Sequence, residues 1–159
     1  MKLQYFIPAL AAVLSAVLSV QAQSIENMVN TLGTSDPSAG ELLRMGFQAE
    51  RQDDGSVFYS NTAEAPGSKL IMMFGMKNDI IRAVAVMMEI ASGVDSSLTA
   101  AMKKEVRSTA RKKKFRVQDL GENGARAQKG SREFGIVFLT PQVLFIYATD
   151  TGTDFFMPE

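Results

Sequence analysis

The chain contains no cysteine, no histidine and no tryptophan. The missing cysteines exclude a disulfide framework, a thiolate metal site and a thiol nucleophile. Without histidine the commonest general base is gone, and with it the Ser-His and Cys-His pairs and most zinc sites. Proline is sparse at 5 in 159 residues and glycine is dispersed at 12, so neither a collagen-like repeat nor a proline-rich linker is present. Charge of neither sign is in excess: 17 Lys+Arg stand against 17 Asp+Glu, with 21% of residues charged and 46% hydrophobic. That is the composition of an ordinary globular domain and not of a disordered tail. No cofactor is implied, and the missing residue types favour a protein that is not an enzyme.

What is there begins with Met1-Lys2 and an apolar run from Phe6 to Val20, broken by Pro8, Ser15 and Ser19. The run is short for a membrane span. With its basic start and the small-x-small end Val20-Gln21-Ala22 it reads as a signal peptide over residues 1–22, cleaved after Ala22. Residues 23–159 then form a single α+β domain, long enough for a real core. An exported chain without cysteine suits a bacterial periplasm or culture medium better than a eukaryotic secretory route, where small domains are usually stapled.

Ser24 precedes Ile25, Met28, Val29 and Leu32, which lie on one face of a short helix stopped at Gly33. Asp36-Pro37 offers an N-cap and a first-turn proline for a second helix with Ala39, Leu42, Leu43 and Met45 inside and Gly46 at its end. Phe47 to Gln52, the turn Asp53-Asp54-Gly55 and Ser56 to Ser60 read as a hairpin, and Thr62 to Ser68 as a loop. A second hairpin pairs Lys69–Met76 with Ile80–Ile90 around Asn78-Asp79. Closing it with Lys77 opposite Ile80 sets Leu70, Met72, Phe74 and Met76 against Met87, Ala85, Ala83 and Ile81 on one face, and Ile71 and Met73 against Val86 and Val84 on the other. Both faces are apolar, which places this hairpin at the centre of a sheet.

Asp95 or Ser96 caps a third helix whose inner arc carries Leu98, Ala101, Met102, Val106 and Thr109, with Lys103, Lys104, Arg107 and Arg111 opposite. Four strand-like stretches come next: Phe115–Leu120, Ala125–Lys129, Glu133–Thr140 and Val143–Thr149. Pairing Thr140 with Val143 sets Phe134, Ile136, Phe138, Phe145 and Tyr147 on one face and Val137, Leu139, Leu144 and Ile146 on the other. The expected fold is an α+β antiparallel sheet of about seven or eight strands with short helices on one face. Half-repeats over 24–91 and 94–149 would make it an α-β4 pseudo-duplication, since Phe47 and Phe115 open matching strand sets. This order of elements resembles that of tandem α+β repeat proteins such as the secreted β-lactamase inhibitory proteins. The likeness is of element order alone, and it brings no residue and no activity with it.

Between Val94 and Arg116 eight basic side chains stand against Asp95 and Glu105, so the near-neutral chain is a charge dipole. Its partner would be anionic, a lipid headgroup or an acidic protein; nucleic acid fits least, since no aromatics interleave the bases. The competing account is a solvated helix face whose last turn sets cations on the helix dipole. Met72, Met73, Met76, Met87 and Met88 are read as adaptable core filler, because Met72 and Met76 stand too far apart along a strand to share a metal. Asp154 to Glu159 group Phe155, Phe156 and Met157, either a last edge element closing over the core or a docking segment.

The function expected is an exported, non-catalytic interaction protein that holds another exported protein, or its own second copy, through an apolar sheet face, in a chaperone, inhibitor or immunity-like role. Phe134, Phe138, Phe145 and Tyr147 are its candidate contacts, and Lys103, Lys104, Arg107 and Arg111 the candidate basic patch. The other reading is a periplasmic carrier of a lipid or similar amphipathic molecule, with the basic helix at its headgroup.

Overall fold

Ile25, Met28, Val29 and Leu32 are all buried; the first three form the inner stripe of α1 (residues 25–31) and Leu32 continues it in the turn that follows, so the helical periodicity of the sequence is realised. The computed structural model describes residues 25–150; the signal peptide read at 1–22, the Ser24 cap and the closing segment at 154–159 lie outside them. After Gly33, at φ +80°, the chain exchanges two backbone hydrogen bonds of 2.8 Å with Ile81, which ties α1 to the sheet.

Helix α2 (Ala39–Arg44) starts at Ser38 and not at Asp36. Ser38 Oγ accepts from the Glu41 N–H while the Glu41 carboxylate accepts from the Ser38 N–H, and this reciprocal box satisfies two otherwise orphaned donors. Leu42 faces inward and Leu43 is 52% exposed, because so short a helix turns only one of the two adjacent leucines to the core.

Eight strands make up the rest: β1 (Gln48–Arg51), β2 (Val57–Ala65), β3 (Ser68–Lys77), β4 (Ile80–Ile90), then after helix α3 (Ser96–Lys113) β5 (Arg116–Asp119), β6 (Gly124–Lys129), β7 (Arg132–Thr140) and β8 (Val143–Thr149). They form one sheet in the order β1-β2-β3-β4-β8-β7-β6-β5, with every pair antiparallel. Two four-stranded meanders therefore meet at β4 and β8, and the α+β architecture read from the sequence is the one observed. The stretch 62–68, read as a loop, is mostly strand. Ala63 pairs with Leu70 and Ala65 with Ser68, leaving only Pro66-Gly67 as the turn.

Both central hairpins close as the turn residues dictate, Lys77 on Ile80 and Thr140 on Val143, and both then slip by one residue. In β3–β4 the pairing passes from Met76–Ile81 to Gly75–Ala83, so Arg82 is the extra residue; in β7–β8 it passes from Thr140–Val143 to Phe138–Leu144, and Leu139 is extra. The slip reverses every facing beyond it. Met72 stands opposite Val86, not Ala85, and Phe145 opposite Val137, not Phe138. Met72 therefore belongs to the helix-side core and Met87 to the other face.

The helix-side core contains Phe74, Val84, Val86, Met88, Phe134, Ile136, Leu144 and Ile146 under Leu42, Leu98, Met102 and Val106. Asp95 caps α3, its carboxylate accepting from the Ser97 N–H at 2.9 Å, and the helix crosses β5, β6 and β7. In each half the phenylalanine that precedes the first strand meets one on the third strand edge to face: Phe47 on Phe74 at 5.7 Å and Phe115 on Phe134 at 5.0 Å. Phe74 and Phe134 are both fully buried, so Phe74→Ala and Phe134→Ala should each cost about 3–5 kcal/mol in chemical denaturation at unchanged m. A loss below about 1 kcal/mol in either would contradict this packing.

Candidate functional site

The face of the sheet turned away from the helices carries a second apolar cluster, and no residue of the described helices belongs to it. Ala85, Phe145 and Tyr147 form its buried centre, with Met73, Met87 and Val137 half-buried around them. The strand register sets these residues in rows across the sheet. One row runs Ser60, Met73, Ala85, Tyr147, Gly135, Arg126, Gln118; the next runs Thr62, Ile71, Met87, Phe145, Val137. Phe145 and Tyr147, two residues apart on β8, stack at 5.5 Å with 18° between their rings.

Gly135, the cross-strand partner of Tyr147, has no room for a side chain. A Cβ there would lie 2.5 Å from the Ala125 carbonyl oxygen and 2.8 Å from the Arg126 Cα. The phenol donates to the Glu133 carboxylate at 2.5 Å, and both residues are buried, at 2% and 6% exposure. Burial first, then the hydrogen bond and charge of Glu133, push the Tyr147 phenol well above its ordinary range. On the β5–β6 side the face turns polar: Arg126 Nε donates to Gln118 Oε1 at 2.8 Å, and a groove of about 550 Å³ is lined by Arg116, Val117, Gln118, Arg126, Gln128 and Gly130.

The bulge at Leu139 divides the aromatic set named from the sequence. Phe134 is in the helix-side core against Phe115, and Phe138 is half-buried on that same side, so neither shares a face with Phe145 and Tyr147. Met73, Met87, Val137 and the Glu133–Tyr147 pair were missed. Glu133 carried a signal, a carboxylate opening an otherwise apolar strand.

The basic helix is largely occupied within the fold. Lys103 Nζ donates to the Gly121 carbonyl and stands 3.4 Å from Asp119, while Arg107 pairs with Asp119 at 2.5 Å. The Gly121 N–H, then Arg107 and Lys103, hold the Asp119 carboxyl below the ordinary carboxylate range. Lys112 reaches Glu26 at 2.6 Å and Lys113 reaches Asn30 at 2.6 Å, fastening α3 to α1. Lys104 and Arg111 make no ion pair with a described residue. Beside α3 lies an open groove of about 770 Å³, whose wall includes Val94, Ala100, Phe138, Leu139 and Pro141, with Lys103 at its margin. Among the described residues no three acidic side chains gather as a metal site requires.

Compared with protein-family models, with curated proteins and with solved structures, the chain matches none of them. Its two sheet faces are therefore the ground on which function has to be inferred.

The Glu133–Tyr147 pair makes the fold sensitive to alkali. The unfolded phenol releases its proton near pH 10, whereas the folded one retains it, so above that pH the unfolded chain binds fewer protons. This contribution to stability is complete below pH 10 and is lost as pH rises, by up to about 1.4 kcal/mol per pH unit. Denaturation curves from pH 8 to 11.5 should show the decline, and Tyr147→Phe should flatten it. At neutral pH the same variant should lose about 1–3 kcal/mol, because the buried Glu133 is left without its donor. An unchanged alkaline slope in Tyr147→Phe would contradict the assignment.

Proposed function

We propose that this is an exported, non-catalytic binding protein that holds another exported protein through the second face of its sheet, in a chaperone, inhibitor or immunity-like role. The observation that carries the reading is the cluster of Met73, Met87, Val137, Ala85, Phe145 and Tyr147 on the side of the sheet opposite the described helices. An apolar centre with a polar margin is the anatomy of a contact surface. Methionine at its rim adapts to a partner's shape. Export rests on the apolar run and on the Val20-Gln21-Ala22 end of the leader.

The groove beside α3 supports the second reading, a carrier of a lipid or similar amphipathic molecule: its wall is mostly apolar and Lys103 stands at its edge, where an anionic headgroup would sit. Against a large role for the basic face, Lys103, Arg107, Lys112 and Lys113 already have partners within the fold.

Native mass spectrometry of the mature protein drawn gently from the compartment it occupies separates the two. A protein-sized partner or a second copy should accompany the wild-type chain and be lost in Met87→Arg, whose side chain places a charge at the rim of the cluster. Leu139→Arg, in the α3 groove, should leave that complex intact. A lipid-sized adduct lost in Leu139→Arg and kept in Met87→Arg would select the carrier. A bare monomer in every case would overturn both.

A further inference from the structure

The sheet ends in two uncovered strands. β1 (Gln48–Arg51) and β5 (Arg116–Asp119) are its outermost members, and every residue of both is exposed. The hairpin that holds each edge shows which of its amides point outward. Gln52 N–H donates to the Ser56 carbonyl at 2.9 Å, one step beyond the Arg51–Val57 pair, so Gln48 and Glu50 turn their amides toward β2 while Ala49 and Arg51 turn theirs away. Leu120 N–H donates to the Gly124 carbonyl at 3.0 Å, one step beyond Asp119–Ala125, so Val117 and Asp119 are the outward pair on β5. The preceding outward positions, Phe47 and Phe115, donate their N–H groups to the Leu42 and Ala110 carbonyls. Each edge is therefore a ladder of two residues, and the two ladders match in length.

Direction and charge also fit one edge to the other. The eight strands alternate in direction, so β1 and β5 run opposite ways, and a second copy set beside the first in the same orientation continues the alternation with its helices on the same side. Residues 25–91, whose outermost strand is β1, carry nine acids and five bases; residues 92–150, whose outermost strand is β5, carry six acids and eleven bases. Edge charges ordinarily keep sheets apart. Here they do so for like edges, since β5 on β5 would bring together two basic α3 helices, each packed on its own β5. An edge formed by β1 on β5 instead sets the acidic half of one copy against the basic half of the next.

We propose that copies of this chain associate head to tail, β1 of one adding to β5 of the next in an antiparallel ladder. Matching the outward residues sets Ala49 opposite Asp119 and Arg51 opposite Val117 of the next copy, with Glu50 opposite Gln118. Glu50 then has Arg116 of the next copy as a diagonal neighbour on the second sheet face, a separation that two long side chains span. Within one copy, neither Glu50 nor Arg116 makes an ion pair with a described residue. Two short edges bury far less than a stable dimer needs, so association is weak and rises with concentration. The contact is heterologous and leaves an edge at either end, so it does not stop at two copies. It uses neither the Phe145–Tyr147 cluster nor the reading of that face as a binding surface.

Sedimentation velocity of the mature protein, from micromolar to millimolar concentration at low salt, should show mass rising steadily through dimer and trimer, and the rise should shrink at high salt. Glu50→Arg and Arg116→Glu should each weaken association roughly threefold to tenfold, and the two combined in one chain should restore it, because the pair is then reversed. Ala49→Pro removes an outward N–H and none from the β1–β2 ladder, so it should abolish the rise while leaving the circular dichroism spectrum unchanged. The absence of cysteine allows the register to be read: chains carrying Glu50→Cys and chains carrying Gln118→Cys, mixed and oxidised, should link to each other far faster than either links to itself. A monomer at every concentration, or a rise that survives both single charge reversals, would overturn the proposal. So would association lost in Met87→Arg but kept in Ala49→Pro, which puts the second copy on the sheet face and leaves the binding reading standing. Edge association in a protein that yields no complex lost in Met87→Arg would uphold the proposal and remove the binding reading alone.

Discussion

The pairing of β4 with β8, from Ala83–Thr149 to Glu89–Val143, is the seam on which the molecule depends. Each half is a meander of local hairpins whose contacts close over short loops. The seam joins strands far apart in sequence, and it is the pairing for which most chain entropy has to be given up. Once it forms, β4 and β8 become interior strands, and each exposes two faces that water should not reach. Val84, Val86, Leu144, Ile146 and Ala148 fill the helix side. Ala85, Met87, Phe145 and Tyr147 are what the same strands must show on the other. The second apolar face is the consequence of a seam between two meanders when the described helices cover only one side.

The architecture was legible because its signals are local. The stripe in α1, the Asn78-Asp79 and Pro141-Gln142 turns and the two-sided apolar strands each depend on a few adjacent residues, and each was realised. The bulges at Arg82 and Leu139 were not legible, because period-2 counting carries past an extra residue with the wrong parity. That one-residue error divides an aromatic set that the sequence had placed together. Arg82 carried a trace of the truth: a lone base within an apolar strand is easier to explain as a residue turned out by a bulge, here to meet Asp150.

The charge dipole shows the complementary failure. Eight bases around α3 are plain in the sequence, yet the acids and carbonyls that receive them come from elsewhere: Glu26 on α1, Asp119 on β5 and the Gly121 carbonyl. Only a tertiary structure brings these together. Exposed pairs of this kind contribute little to stability each, but they fix where a charged helix lies on its neighbours. What remains for an anionic partner is Lys104, Arg111, Lys114 and Arg116, none of which makes an ion pair with a described residue, a smaller patch than the composition suggested.

The Glu133–Tyr147 pair gives the second face its specificity. A wholly apolar plate accepts any apolar surface in any orientation, whereas a buried carboxylate held by a phenol penalises an occupant that breaks the hydrogen bond or strands the charge. Gly135 lets β6 pack closely against β7 beside the ring, and Arg126, in line with Tyr147 and Gly135, brings a cation into the row on the β6 side. From β3 to β6, that row passes from methionine through aromatic to arginine. Whatever lies across it gains most when its apolar groups face the seam and its acids face β5 and β6, so the order of side chains along the row sets the direction of the occupant as well as its chemistry.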